Sequence, residues 1–255
     1  MNLLAGDLGG TKTLLAIYSY ENELVKVHQK LYASKDWSSF DLMIENFKNG
    51  LPPYIDKPEY GCIAIAGQVI DNRAKITNLN WYLDSKRLSE ILNLKKIELI
   101  NDFSALIYGI TSFKQSQFIK MQGNFKTRIN DNEVIAILGA GTGLGMARGI
   151  KTKDGFKPLP SEGGHREFSP RTKTEWEICE WLKKHLNLER LSIERIISGT
   201  GLGYIGLWRI MQNDAENHPL RNYITNSDIQ QKTDLPALVS KLAKDGDELM
   251  NEASF

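Results

Sequence analysis

Twice in this chain an apolar run meets a cluster of glycines and turns into a second apolar run. The first is Leu3-Leu4-Ala5-Gly6-Asp7-Leu8-Gly9-Gly10-Thr11-Lys12-Thr13-Leu14-Leu15-Ala16-Ile17. The second runs from Val134-Ile135-Ala136-Ile137-Leu138 through Gly139-Ala140-Gly141-Thr142-Gly143-Leu144-Gly145 into Met146 to Ile150. Both predict a strand, a glycine turn and a returning strand. Either one alone is an ordinary hairpin, because glycine permits positive φ at a tip. Either one is equally a phosphate cradle: N–H groups bared by glycine converge on an anion, Thr11 donates, and Asp7 at a strand end holds a hydrated Mg²⁺. The repetition predicts two related halves around one phosphate site. A P-loop is excluded, since Thr11 stands where a glycine must precede Lys12. The glycines from Gly139 onward fall on alternate positions and lead into a strand, which argues against a dinucleotide fingerprint.

Between the hairpins, Ile97-Glu98-Leu99-Ile100 predicts a short strand, and Phe103, Leu106, Ile107 and Ile110 predict one face of a helix. Asn101 and Asp102 stand at the junction. One reading is a helix N-cap; the other is a ligand-binding amide beside a catalytic carboxylate, beyond the carboxyl end of a strand. Leu24 to Ala33 predicts a third strand, and Phe40 to Phe47 a helix stopped by Gly50 and Pro52-Pro53. Gly61 to Gly67 is a short buried strand entering a loop, Arg73 to Ile76 another strand, and Asp84 to Leu92 a helix. In Thr77-Asn78-Leu79-Asn80-Trp81, Asn78 and Trp81 line a polar pocket or form a turn with a packed indole. Glu162 and His165 flank Gly163-Gly164, as a surface turn or as a carboxylate and imidazole held against a polyol. Thr174 to Leu186 predicts a helix with Trp176, Cys179, Leu182 and Leu186 on one side. A second helix carries Ile205, Trp208 and Ile210, and Leu235 to Phe255 continues in helical pattern.

A net charge of +1 without blocks of like charge indicates neither a nucleic-acid nor a membrane partner. No stretch approaches membrane-spanning length, and no signal peptide opens the chain. Cys62 and Cys179 form no metal cluster and predict buried free thiols in a cytoplasmic protein. The polar stretch Gln122 to Asn132 marks a boundary, giving a small N-terminal domain over 1–122 and a larger one over 123–255.

Together these segments resemble the bacterial glucokinase family, within the hexokinase and actin-like ATPase superfamily. The resemblance is carried by Asp7 to Lys12, Ile63 to Gly67, Thr77 to Trp81, Ile100 to Phe103, Gly139 to Gly145, Ser161 to His165 and Glu194-Arg195-Ile196-Ile197-Ser198-Gly199, in the family's order. The cysteine-rich zinc motif of the related repressor-and-kinase sugar enzymes is absent.

The resemblance implies an α/β, two-domain actin-like (ribonuclease H-like) fold with mixed sheets, flanking helices and a cleft between domains. It implies ATP-dependent phosphorylation of glucose at its 6-hydroxyl, with Mg²⁺ and ATP, and a homodimer by family precedent. Asp102 is then the general base; Asn78, Asn101, Asp102, Glu162, His165 and Glu194 hold the sugar. Asp7, Gly9, Gly10, Thr11 and Lys12, with Gly141, Thr142 and Gly143, hold phosphates, and Asp7 holds Mg²⁺ through water. The alternatives are a kinase for another hexose or hexosamine, and a sugar-binding relic without turnover. Gln68 stands where the family's loop usually has proline. The family also continues past Phe255 with a glycine-rich adenosine segment and closing helices, so the expectation for residues 1–255 is weak activity and low stability.

Overall fold

The computed structural model describes residues 1–76, 78–123, 129–159, 161–221 and 234–254. Thr77, residues 124–128 of the polar stretch, Pro160 and Phe255 lie outside them. The chain divides into two compact units, Met1–Val134 with Gly149–Pro160, and Ile135–Arg148 with Ser161–Phe255.

In the first unit, β1 (Asn2–Leu8), β2 (Lys12–Tyr20), β3 (Leu24–Ala33), β4 (Tyr60–Ile65) and β8 (Lys96–Asn101) form one sheet in the order β3-β2-β1-β4-β8. β1, β4 and β8 run parallel, while β2 and β3 are antiparallel to their neighbours. Parallel neighbours need crossovers, which α1 (Phe40–Asn49) and α2 (Ser85–Leu92) supply. Ser39 caps α1 by accepting from the Leu42 N–H at 3.3 Å. Asp84 caps α2 by accepting from Lys86 and Arg87, and Asn93 ends it at φ 56°.

The apolar stripes of these helices (Phe40, Met43, Ile44 and Phe47; Leu88 and Leu92) close over Leu8, Leu15, Ile17, Ile63 and Ile65. Each fully buried side chain of this size contributes about 1.5–3 kcal/mol relative to exposure. Along the chain between β4 and β8, β5 (Val69–Ile70), β6 (Arg73–Ile76) and β7 (Trp81–Asp84) form a small separate sheet. Its turn at Asp71 and Asn72 takes φ of 50° and 59°. The Asn72 amide accepts from the Leu99 N–H at 2.7 Å and donates to the Ile97 carbonyl, tying the turn to β8. Trp81 is 3% exposed and tilted against Phe40, so the packed-indole reading holds and the pocket-lining one does not.

β9 (Val134–Ala140), β10 (Leu144–Thr152) and β11 (Gly155–Leu159) form a three-stranded sheet in the order β11-β10-β9. The all-apolar composition of β9 does not bury it: Val134 and Leu138 are exposed. In the second unit, α4 (Lys173–Leu186) and α5 (Gly199–Ile210) are capped by Thr172 and Ser198. Cys179, Leu182 and Leu186 of α4 are buried with Leu191. Trp176 is instead exposed, because at 100° per residue it sits almost a quarter-turn from the centre of that stripe. α6 (Leu235–Lys244) and α7 (Glu248–Ser254) pack with α5 around Leu207, Ile210, Val239 and Met250. The expected single helix over 235–255 breaks at Gly246, whose φ is +94°. Close approach of α5 and α6 depends on Gly206, where an added Cβ would lie 2.5 Å from a Val239 methyl.

Candidate active site

Because β1, β4 and β8 run in parallel register, their carboxyl ends coincide: Asp7 pairs with Ala64, and Ile65 with Asn101. Ligands of open α/β sheets bind beyond such ends. Asn101 is the N-cap of α3 (Asp102–Gly109), its amide oxygen accepting from the Ser104 N–H at 3.1 Å. Its amide nitrogen donates to the Gly67 carbonyl and to an Asp102 carboxylate oxygen at 2.9 Å. The cap reading is therefore satisfied by Asn101, and Asp102 is the first residue inside the helix. Burial pushes the Asp102 carboxyl above the usual range, the like charge of Asp7 adds to this, and hydrogen bonds from Phe103 N–H and Asn101 oppose it. Ile110, expected on the helix face, begins a 3₁₀ turn after Gly109.

The first hairpin closes through Gly9 N–H donating to the Lys12 carbonyl at 3.0 Å. Ser34, directly after β3, fastens its tip from behind. The Ser34 hydroxyl donates to the Gly9 carbonyl at 2.8 Å, and its N–H to the Thr11 carbonyl at 2.9 Å. With that one proton committed, Thr13 is the donor in its 2.9 Å bond to Ser34, and both hydroxyls are fully buried. Asn78 lies beside Gly10, and Lys12 is exposed at the start of β2. The exposed Asp7 carboxylate fits a hydrated Mg²⁺, which takes oxygen donors, keeps several waters and shares substrate phosphates. Among the described residues, no three His, Cys, Asp or Glu side chains cluster as metal ligands; an ion held this way needs no such cage.

In the second unit, the other hairpin closes through Gly141 N–H donating to the Gly143 carbonyl at 2.9 Å. Its fastening comes from the start of α5. Gly199 N–H donates to the Gly141 carbonyl at 2.7 Å, and the Thr200 hydroxyl to the Thr142 carbonyl at 2.8 Å. The Glu194 carboxylate accepts from the Leu144 N–H at 2.9 Å and lies against Gly143, where a Cβ would collide with it. Glu162 precedes and His165 ends a 3₁₀ turn over Gly163–His165, with side chains 3.6 Å apart and both largely exposed. That loop is held by Arg190, which donates to the His165 carbonyl at 2.9 Å. Gly164 passes so close to the Leu144 carbonyl that a Cβ would strike the backbone.

Asn78, Asn101 and Asp102 thus belong to the first unit, and Glu162, His165 and Glu194 to the second. Sequence reasoning missed Ser34, Thr200 and Arg190. Ser34 sits in a strand-end sequence with no distinguishing neighbour, and Thr200 stands in the first turn of α5 behind its cap Ser198, a local pattern that speaks to the helix and not to the hairpin.

The glucokinase family model matches residues 4–254. A glucokinase of Nostoc sp. is 36% identical over 99% of this chain and 75% of its own length. That of Trichormus variabilis is 42% identical over 78% of this chain and 58% of its own. Among solved structures, a glucokinase from an Antarctic psychrotroph superposes with a TM-score of 0.72 at 25% identity, covering 99% of this chain and 73% of that one. A Balamuthia mandrillaris glucokinase in complex with glucose gives the same TM-score at 20% identity, over 99% and 72%. Among the described residues, no helix is long and apolar enough to cross a membrane.

Proposed function

The chain belongs to the glucokinase family, and from that premise we propose that it transfers the γ-phosphoryl group of ATP to the 6-hydroxyl of glucose, with Asp102 as general base. The observation that carries this reading is the half-buried Asp102 carboxyl, raised above its ordinary range, at the end of a parallel strand. A base nearer neutrality than free aspartate accepts the hydroxyl proton more readily as the oxygen attacks phosphorus. Asn101 holds that carboxylate in place through its amide N–H. Phosphoryl transfer requires little covalent help, so positioning is the protein's larger contribution.

Gly9, Gly10, Thr11 and Lys12 in one unit, and Gly141, Thr142 and Gly143 in the other, are assigned to phosphates. Asp7 would hold Mg²⁺ through water, and the ion when bound supplies charge neutralisation on the phosphates. Asn78, Asn101, Glu162, His165 and Glu194 are assigned to the sugar hydroxyls. A homodimer rests on family precedent, and location in the cytoplasm on the free thiols of Cys62 and Cys179.

Coupled measurement of ADP release across a panel of sugars tests the activity and separates glucose from other hexoses and hexosamines. Within that assay, Glu162→Gln and His165→Ala are each expected to raise the KM for glucose roughly tenfold or more, since unpaired polar groups in a sugar site discriminate strongly. The KM for ATP should stay within about twofold. Equal losses toward both substrates, in step with a lowered melting temperature, would instead make this loop structural.

A further inference from the structure

Both glycine hairpins are fastened by a hydroxyl on a tip carbonyl. A hydroxyl from a remote segment donates to a tip carbonyl at 2.8 Å: Ser34 to Gly9, and Thr200 to Thr142. A backbone N–H of the same remote segment holds a neighbouring tip carbonyl, Ser34 that of Thr11 and Gly199 that of Gly141; at the second hairpin the Thr200 N–H also reaches the Thr142 carbonyl, at a longer 3.3 Å, so the hydroxyl is the shorter of two holds there. Among the described residues every peptide bond is trans. In a planar trans peptide the carbonyl and the following N–H point in opposite directions. Holding the Gly9 carbonyl inward therefore aims the Gly10 N–H outward, and holding the Thr142 carbonyl does the same for the Gly143 N–H. Among the described residues, the Gly10, Thr142 and Gly143 N–H groups donate to no protein acceptor.

We infer that Ser34 and Thr200 are positioning residues that fix the tip peptides of the two hairpins with their N–H groups presented to the phosphates of the nucleotide. This rests on the kinase reading above and adds to it the reason the cradles hold one orientation. Glycine peptides flip at little steric cost, so without the fastening each tip would present carbonyl oxygen to phosphate for part of the time. Loss of one oriented N–H to an anion removes a charge-assisted hydrogen bond.

Thr200 is partly exposed and tolerates substitution more readily than the fully buried Ser34, so it is the primary probe. Thr200→Val and Ser34→Ala should each raise the KM for ATP roughly tenfold, as expected for one such bond, with the KM for glucose unchanged. Binding of ADP should weaken by a similar factor while binding of adenosine stays as in wild type. Thr200→Ser should restore both. If Ser34→Ala does not fold, the Thr200 series decides alone. A folded Thr200→Val with wild-type affinity for ATP and ADP, or with equal losses for ADP and adenosine, overturns the inference. A wild-type protein that releases no ADP with any sugar overturns the kinase reading instead, and the ADP-against-adenosine comparison still tests the fastening.

Discussion

Asp102→Asn is expected to lower kcat roughly 100-fold or more, the ordinary scale of lost general-base catalysis, while glucose affinity changes little. The amide keeps an oxygen where the carboxylate accepts from the Phe103 N–H, so α3 retains its first turn. What it loses is the ability to take a proton. Stability should move the opposite way. Folding raises the Asp102 pKa, so the native state binds the proton more tightly than the unfolded chain, and this carboxylate opposes folding as pH rises through its raised value. The neutral amide carries no such cost, so the variant should melt at a higher temperature than wild type at pH 7, with the difference vanishing below the unfolded pKa of about 3.9. In wild type, the acid limb of kcat/KM should fall above that same value. A residue serving only the helix would give the reverse, with unchanged turnover and unchanged or lower stability.

Gly164→Ala is expected to lower kcat/KM for glucose roughly 100-fold, because an added Cβ collides with the Leu144 carbonyl of β10 and an ångström of displacement of the bound sugar is enough for a loss of that size. The obstacle is strand backbone, so the loop carrying Glu162 and His165 must yield. Overpacking of this kind costs about 1–3 kcal/mol, visible as a lower melting temperature. Gly163→Ala is the internal control. Its Cβ would meet the Met146 sulfur at 2.7 Å, a flexible side chain that can move aside, so its effect on glucose should be several times smaller. Indistinguishable kinetics for Gly164→Ala and wild type would show that the loop does not set the sugar site.

Local chemistry was legible where neighbouring residues carry it. The glycine turns, the strand-to-helix junction at Asn101 and the cap at Asp84 all follow from residues within four positions of one another. β11 was not foreseen, since Gly155-Phe156-Lys157-Pro158-Leu159 has neither length nor alternation. Trp81 was ambiguous because a lone aromatic after a polar loop packs or lines a pocket depending on what lies opposite, and here that is Phe40, 41 positions earlier. The helix break at Gly246 was masked by the apolar periodicity on either side of it. Ser34 and Thr200 reach their hairpins across 25 and 58 positions, a separation that no spacing rule spans. Exposure of the apolar β9 has the same origin, because composition reports what a strand can bury and not what its neighbours cover.

The phosphoryl transfer itself is tested most directly by incubating the protein with glucose labelled with ¹³C at C6, ATP and Mg²⁺, and recording ¹³C and ³¹P spectra alongside ADP release. The account predicts a C6 resonance split by phosphorus, one sugar phosphate formed per ADP, and neither signal from Asp102→Asn on the same timescale. ADP formed without the phosphorus-coupled C6 resonance, or that resonance appearing at the wild-type rate with Asp102→Asn, would contradict it.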